Sequence, residues 1–182
     1  GTLASGSTCT TSCSSGYDTS SGTVGFSCSD GTLTSPSMTC SPAACDISSF
    51  GTGVVSDTSG GNGCGLGAGA LASGSTCSVA CGPGYSASGG DPSYSCSFGT
   101  LTAATLTCAP DPCDIPAFGP GVTAATSNGC TAGQDTLGDG QSCGVTCAPG
   151  FTASPASTSS TYTCSRGAFT AAPDLTCAAS CT

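Results

Sequence analysis

Cysteine spacing constrains this chain more than any other feature of its sequence. Its 182 residues include 17 cysteines, a density typical of disulfide-stabilised scaffolds. Three segments of the chain can be aligned on these cysteines, and the equivalent residues Cys45, Cys113 and Cys181 stand 68 positions apart. The chain is therefore a tandem repeat with six cysteines in each complete unit.

The repeat predicts the domain organisation. We expect the C-terminal part of a first repeat over residues 1–44, complete second and third repeats over residues 45–112 and 113–180, and the start of a fourth at residues 181–182. Short linkers between two cysteines separate the repeats, and two of the three contain proline, which fixes φ near about −65°. We therefore expect a linear, semi-rigid array in which each repeat contacts mainly its neighbours.

Large apolar side chains are too few for an ordinary core. The chain has two Ile, eight Leu, six Val, six Phe, four Tyr, one Met and no Trp. At about 25 cal/mol per Å² buried, they cannot offset a backbone ordering cost of about 1–2 kcal/mol per residue. Disulfides contribute about 2–4 kcal/mol each and persist in oxidising compartments. We therefore expect an extracellular protein, secreted or held in a cell wall or surface appendage.

Short alternating runs predict β-strands. Residues 94–98 (Tyr-Ser-Cys-Ser-Phe) and 161–164 (Thr-Tyr-Thr-Cys) alternate side chains as half-buried strands do. Clusters of Gly, Ser, Asn and Asp interrupt the chain every few residues. No segment combines helical spacing with good helix formers. The predicted class is all-β, with small disulfide-rich modules.

The charges exclude several classes of partner. The chain has ten Asp, no Glu, Lys or His, and one Arg, which gives a net charge of −9. Proteins that bind nucleic acids or anionic membrane surfaces use Lys and Arg, so we expect neither partner. No stretch approaches the roughly 20 apolar residues of a membrane-spanning helix.

Catalysis and metal binding lack the residues that they usually need. Without His, Lys or Glu, the common general bases and activators of a nucleophile are missing. Asp46 and Asp114 occupy matching repeat positions, where a turn or cap role fits them better than acid–base chemistry. The pairs Cys77/Cys81 and Cys143/Cys147 have a spacing that zinc sites allow, but disulfides account for all six cysteines of each repeat and are the preferred interpretation.

Calcium has one candidate position. Asp135 and Asp139 could supply oxygen ligands, although the chain has no Asp-x-Asp loop. We expect no enzyme activity, no resident metal and no cofactor.

Ser and Thr make up about a third of the chain. Such composition beside proline is typical of O-linked glycosylation, while a soluble, turn-rich surface would explain it equally. The densest run lies next to Pro155, and its candidate acceptors are Ser157, Thr158, Ser159, Ser160 and Thr161.

A pattern of cysteine, glycine and aromatic residues recurs in all three repeats. In the second repeat it comprises Cys81, Gly84, Tyr85, Tyr94, Cys96, Gly99, Leu101, Leu106, Cys108 and Pro110. This pattern resembles the complement-control, or sushi, module, in the six-cysteine form found in surface proteins of algae and other protists. The resemblance implies a small all-β module.

Sushi modules pair their first cysteine with the third and their second with the fourth. The resemblance therefore implies the pairs Cys45–Cys96, Cys81–Cys108, Cys113–Cys164, Cys147–Cys177 and Cys13–Cys40, with Cys64–Cys77 and Cys130–Cys143 as added pairs. Six cysteines allow fifteen pairings, so spacing alone leaves the choice open. We expect Cys9, Cys28 and Cys181 to have partners outside this sequence.

Two functions are consistent with the sequence. The first is structural: a repeat segment of an extracellular fibre, wall or surface appendage that self-associates into a filament and carries covalent glycans. The second is an array of adhesion modules that recognise a protein or glycan, with Arg166 and the longer loop over residues 152–161 as its candidate contacts. Near-identical repeats without a unit-specific site favour the first.

Overall fold

The computed structural model describes residues 1–133, 136–155 and 160–180. These ranges contain no helix and many short β-strands, so the predicted all-β, disulfide-rich class is confirmed. The strands are short because glycine and other turn-forming residues interrupt the chain every few positions.

The strands follow one another as β1 (Thr8–Thr10), β2 (Tyr17–Ser21), β3 (Gly25–Ser29), β4 (Thr32–Thr34), β5 (Thr39–Pro42), β6 (Cys45–Ile47), β7 (Val54–Ser56), β8 (Gly67–Leu71), β9 (Thr76–Cys81), β10 (Tyr85–Gly89), β11 (Ser93–Ser97), β12 (Thr100–Thr102), β13 (Thr107–Pro110), β14 (Cys113–Asp114), β15 (Val122–Ala124), β16 (Thr136–Leu137), β17 (Ser142–Cys147), β18 (Phe151–Ala153), β19 (Thr161–Ser165), β20 (Ala168–Ala171) and β21 (Cys177–Ala179).

The described residues divide into two compact units. The first comprises residues 1–51, 55–80 and 90–106. It contains the three-stranded sheet β1-β3-β4, most of the four-stranded sheet β12-β11-β9-β7, and the pairs β2-β5 and β6-β8. Strands β1 and β3 pair antiparallel with Cys9 opposite Phe26, and β9 and β11 pair antiparallel with Cys77 opposite Tyr94.

The second unit comprises residues 52–54, 81–89 and the described part of 107–182. It contains the four-stranded sheet β15-β17-β19-β20 and the pairs β10-β13, β14-β16 and β18-β21. This sheet has the same strand order as β7-β9-β11-β12, and β17 pairs β19 with Cys143 opposite Tyr162. The sequence repeat is therefore also a repeat of strand topology.

Half of the buried core consists of half-cystines. In the second repeat the buried hydrophobic residues are Cys45, Ile47, Cys64, Leu71, Cys77, Val79, Tyr94 and Cys96. Their counterparts in the third repeat are Cys113, Ile115, Cys130, Leu137, Cys143, Val145, Tyr162 and Cys164, which form one cluster with Phe118, Val122, Phe169 and Leu175 packed against it. Residues 1–44, all of them described, include no buried residue.

Candidate functional site

Seven disulfide bonds link cysteines within the described ranges. They are Cys13–Cys40, Cys45–Cys96, Cys64–Cys77, Cys81–Cys108, Cys113–Cys164, Cys130–Cys143 and Cys147–Cys177. These are the pairs that the resemblance to sushi modules implies, together with the added pair of each complete repeat. The first-with-third pairs span 51 positions and the added pairs span 13.

An Asn-Gly-Cys turn positions each added pair. In the second repeat the amide of Cys64 donates to the carbonyl of Ser78 at 3.1 Å. Gly63 precedes it and has no room for a side chain, because a Cβ atom there would overlap the carbonyl oxygen of Asp57. The glycine therefore lets the chain pass close enough for Cys64 to reach Cys77.

The third repeat builds the same turn with one further contact. Asn128 has a φ of 51°, a conformation that Asn adopts more readily than most residues. Its Nδ2 donates to the carbonyl of Ser142 at 2.7 Å, and the amide of Cys130 donates to the carbonyl of Gly144 at 2.9 Å. Both Asn-Gly-Cys segments thus act as turns.

The hairpins β3-β4, β11-β12 and β19-β20 end in two-residue turns with a common backbone. Asp30, Phe98 and Arg166 have φ angles of 49°, 47° and 49°, and a glycine with positive φ follows each of them. Two consecutive positive φ angles define the type I′ turn that suits the twist of a hairpin. A Phe or an Arg at such a position is uncommon, so these side chains are present despite the local backbone preference.

The turn residue Phe98 contacts the first repeat inside the first compact unit. A Cβ atom on Gly16 would lie 2.8 Å from the Cβ of Phe98, so the two residues touch. The rings of Tyr17 and Phe98 lie 5.4 Å apart between centroids. The linker residue Ala43 connects the two sides, donating to the carbonyl of Gly16 at 2.8 Å and accepting from the amide of Gly99 at 2.9 Å.

The turn residue Arg166 makes the equivalent contact inside the second compact unit. A Cβ atom on Gly84 would lie 2.7 Å from the Cβ of Arg166. The linker residue Asp111 donates to the carbonyl of Gly84 at 2.9 Å and accepts from the amide of Gly167 at 2.7 Å. Two successive repeat junctions therefore use the same set of residues: the glycine before an aromatic residue, the linker residue, and the two-residue hairpin turn of the following repeat. We call this set the junction motif.

In the two complete repeats, the aromatic residue of the Gly-aromatic pair covers a glycine of its own repeat. A Cβ atom on Gly53 would overlap the ring of Tyr85, and one on Gly121 would overlap the ring of Phe151. These glycines belong to the matching Gly-x-Gly-Val segments of the two complete repeats. At the second junction, Gly84 thus contacts the neighbouring repeat, while the ring of Tyr85 contacts its own repeat.

The cysteines Cys9 and Cys28 form no disulfide. They occupy the positions of Cys77 and Cys96, which are 6% and 3% exposed, whereas Cys9 is exposed and Cys28 is partly so. Leu33, beside them, is 53% exposed. Together with Leu3, Phe26 and Gly31 they line a mainly apolar cleft, which we call the open cystine face. Cys181 lies outside the described residues.

Aspartates in this structure accept hydrogen bonds that connect strands or fix nearby segments of the chain. The Oδ1 atom of Asp46 accepts a 2.6 Å hydrogen bond from the amide of Gly69, which ties β6 to β8. Asp57 accepts hydrogen bonds from the hydroxyl and amide of Ser59 and, at 3.2 Å, from the hydroxyl of Ser78. These bonds, chiefly those from Ser59, hold the pKa of Asp57 below its usual value of 3.8.

The described residues form no site for either zinc or calcium. They contain no group of three or more Cys, Asp or other ligand side chains that could hold an ion. Of the calcium candidates, Asp135 lies outside the described residues, and the Oδ1 of Asp139 accepts a 2.7 Å hydrogen bond from the amide of Arg166. Asp139 thereby supports the hairpin turn at the second junction.

Some of the candidate residues for glycosylation and adhesion lie outside the part of the chain that the structure describes. Ser157, Thr158 and Ser159 lie outside the described residues, whereas Ser160 and Thr161 are exposed, with Thr161 at the start of β19. Arg166 is exposed, but its backbone belongs to the junction motif.

Sequence reasoning missed the junction motif. Its signal was present, because Ser-x-Gly recurs before β4, β12 and β20, with Asp, Phe or Arg at the middle position. A residue that varies inside a conserved turn could have been recognised as a contact position. Its partner, the glycine before the aromatic residue, belongs to the recurring pattern but carries no chemistry of its own.

Disulfide bonding, strand content and small repeated cores define the class: a disulfide-rich all-β protein with several small modules. The disulfides are typical of a secreted or extracellular protein. Where the chain is described, no helix has the length and hydropathy that a bilayer crossing would need. No protein-family model matches the chain, and no curated protein matches it either.

Proposed function

We propose that this chain is a non-enzymatic structural protein, a repeat segment of an extracellular fibre, wall layer or surface appendage, built from sushi-like modules. The observation that carries the proposal is the junction motif. Two successive junctions join repeats through equivalent backbone hydrogen bonds, in which Ala43 and Asp111 each donate to one glycine and accept from another. Equal junctions repeated along a chain generate a regular array, as in other repeat proteins.

Backbone bonding makes this array tolerant of sequence change. The turn residues Phe98 and Arg166 differ in size and charge, yet the bonds to Ala43 and Asp111 have similar lengths. A structural polymer needs a constant geometry between units, whereas a recognition module needs a surface that differs between them. The constancy of the junction therefore supports a structural role.

The chemistry of the surface fits a secreted material. Ser and Thr are abundant, and Ser160 and Thr161 are accessible for O-linked glycans. We propose covalent glycans as a coat of the assembled array and self-association of the chain as its mode of assembly.

Electron microscopy of the native, unreduced protein tests the proposal. We expect continuous filaments with an axial repeat of one or a few modules. A Gly84→Val variant should give filaments with an irregular repeat, because a side chain there overlaps Arg166. Gly133→Val, also at positive φ but with open space around its Cβ position, is the matched control and should leave the repeat regular.

The adhesion function predicts a different result. Isolated short particles at all concentrations would contradict a fibre-forming role. Capture of a protein or glycan that is abolished by Arg166→Ala would then establish recognition as the function, because Arg166 is the only cationic side chain in the sequence.

A further inference from the structure

The open cystine face of the first repeat is preformed. The amide of Cys28 donates to the carbonyl of Ser7 at 3.1 Å, and Cys28 accepts from the amide of Gly6 at 2.8 Å. In the second repeat, Cys96 makes the same two bonds with Ser75 and Gly74, at 3.1 and 2.8 Å. The strands that carry the face therefore have the same local arrangement in both repeats.

In the second repeat the residues from Cys45 to Leu71 cover the equivalent face. This segment forms β6, β7 and β8 and is bonded to the face by Cys45–Cys96 and Cys64–Cys77. Its Ile47 is 1% exposed, and covering the face leaves Cys77 and Cys96 buried. The third repeat shows the same arrangement over residues 113–133 and 136–137, with Ile115 5% exposed.

The two thiols of the open face are badly placed to bond with each other. Cys9 pairs with Phe26 across β1 and β3, so Cys28 lies two positions further along the opposite strand. Such diagonal neighbours have side chains roughly 7 Å apart, whereas the Cβ atoms of a disulfide are about 3.5–4.5 Å apart. The same diagonal relation separates Cys77 from Cys96, and each of these bonds to the covering segment instead.

We propose that the open cystine face is a binding site for a polypeptide segment with the sequence pattern of residues 45–71. The segment's first cysteine bonds to Cys28 and its second to Cys9, while an apolar residue equivalent to Ile47 covers Phe26 and Leu33. The exposed apolar surface provides the affinity, and the two thiols make the association covalent. This inference is independent of whether the native protein forms fibres.

Each new disulfide requires an oxidant, and glutathione disulfide supplies it. A protein thiolate attacks glutathione disulfide and releases one glutathione thiolate. The partner thiolate then attacks the mixed disulfide and releases the second glutathione. Each bond thus converts one glutathione disulfide into two molecules of glutathione, whose thiolates take up the two protons that the protein and peptide thiols lose.

A reduced synthetic peptide of residues 45–71 tests the site. The full chain, with its seven disulfides intact, is incubated with the peptide in a glutathione redox buffer and analysed by non-reducing mass spectrometry. We expect one peptide per chain, joined by two disulfides that link Cys28 to the peptide's Cys45 and Cys9 to its Cys64. A bond between Cys9 and Cys28, or chain dimers through these thiols, would overturn the proposal.

Two peptide variants distinguish a shaped site from simple thiol reactivity. Ile47→Asp should slow capture about tenfold or more, because it removes a side chain that is buried at the equivalent position of the second repeat. Val55→Asp is the matched control and should react like the parent peptide, since Val55 is 41% exposed. Equal rates for all three peptides would contradict a binding face.

Discussion

Gly84 lacks a side chain because the backbone and Cβ of Arg166 fill the space that a Cβ atom would need. The same steric relation holds between Gly16 and Phe98. Gly150 is the third member of this set; nothing lies within 4 Å of its Cβ position, although its φ of 84° is also positive. Substitutions at Gly84 and Gly150 can therefore be compared. The comparison separates the free-energy cost of a positive φ angle from the cost of disturbing a junction contact.

We predict that Gly84→Ala destabilises the protein more than Gly150→Ala. Each variant bears about 1–2 kcal/mol for placing an alanine in the left-handed region, and only Gly84→Ala also displaces Arg166. Urea unfolding measures the free energy of unfolding of both variants. The disulfides are kept intact, and the protein is used at concentrations where it is monomeric. Equal losses would mean that the contact with Arg166 contributes nothing.

Asp57 gives the stability a specific pH dependence. Its pKa is lower in the folded protein than its usual 3.8, because Ser59 donates to the carboxylate through its hydroxyl and amide. A carboxyl whose pKa is depressed by folding stabilises the native state above the unfolded pKa, and this contribution is lost as the pH falls through the folded value.

We therefore predict that Asp57→Ala lowers the urea midpoint at about pH 5 and has a progressively smaller effect as the pH falls below 3.8. The third repeat has Ala125 at this position and keeps the backbone bond, from the amide of Ala125 to the carbonyl of Gly144 at 3.1 Å. The substitution should therefore preserve the local fold. An effect of Asp57→Ala that does not change with pH would show that the carboxylate is not responsible.

At the scale of elements, the disulfides differ in the length of chain that they close. Cys45–Cys96 spans 51 positions and Cys64–Cys77 spans 13. Loop-closure entropy increases with the logarithm of that length. The long bridge joins β6 to β11, whereas the short one fixes the Asn-Gly-Cys turn against β9.

We predict that replacing both members of Cys45–Cys96 by Ala costs about 4 kcal/mol, and that the same change at Cys64–Cys77 costs about 3 kcal/mol. The third repeat provides an internal control, because its bridges at Cys113 and Cys130 span the same 51 and 13 positions. Denaturant unfolding of the four double variants should give the same order in both repeats. If the short bridge cost more than the long one in either repeat, local packing and not loop length would determine the loss of stability.

The whole molecule carries a net charge of −9 with a single cation. Copies that associate must bring like charges together, and salt screens this repulsion over about 10 Å at 0.1 M and about 3 Å at 1 M. The backbone contacts of the junction motif depend much less on salt.

We therefore predict that self-association strengthens as the salt concentration rises. Sedimentation velocity at about 0.05 M and about 1 M sodium chloride should show larger assemblies in the second condition. Weakening by salt would indicate that attraction between charges, centred on Arg166, holds the copies together.

The sequence by itself determined the repeat, the dependence on disulfides and the all-β class. Cysteine spacing, the shortage of large apolar residues and the alternating runs are properties of the linear chain, and each constrains the fold without knowledge of which segments meet. The disulfide pairing needed more, because six cysteines permit fifteen pairings and only a resemblance selected one of them.

The tertiary structure alone decided where repeats touch. Gly84 and Arg166 are 82 positions apart in sequence, and nothing in either residue identifies the other as its partner. Likewise, Cys9 and Cys28 become a site only because β1 and β3 place them on one uncovered apolar face. Contacts between distant, chemically unremarkable residues depend on how strands pair and turns project, which is why local sequence patterns could not predict them.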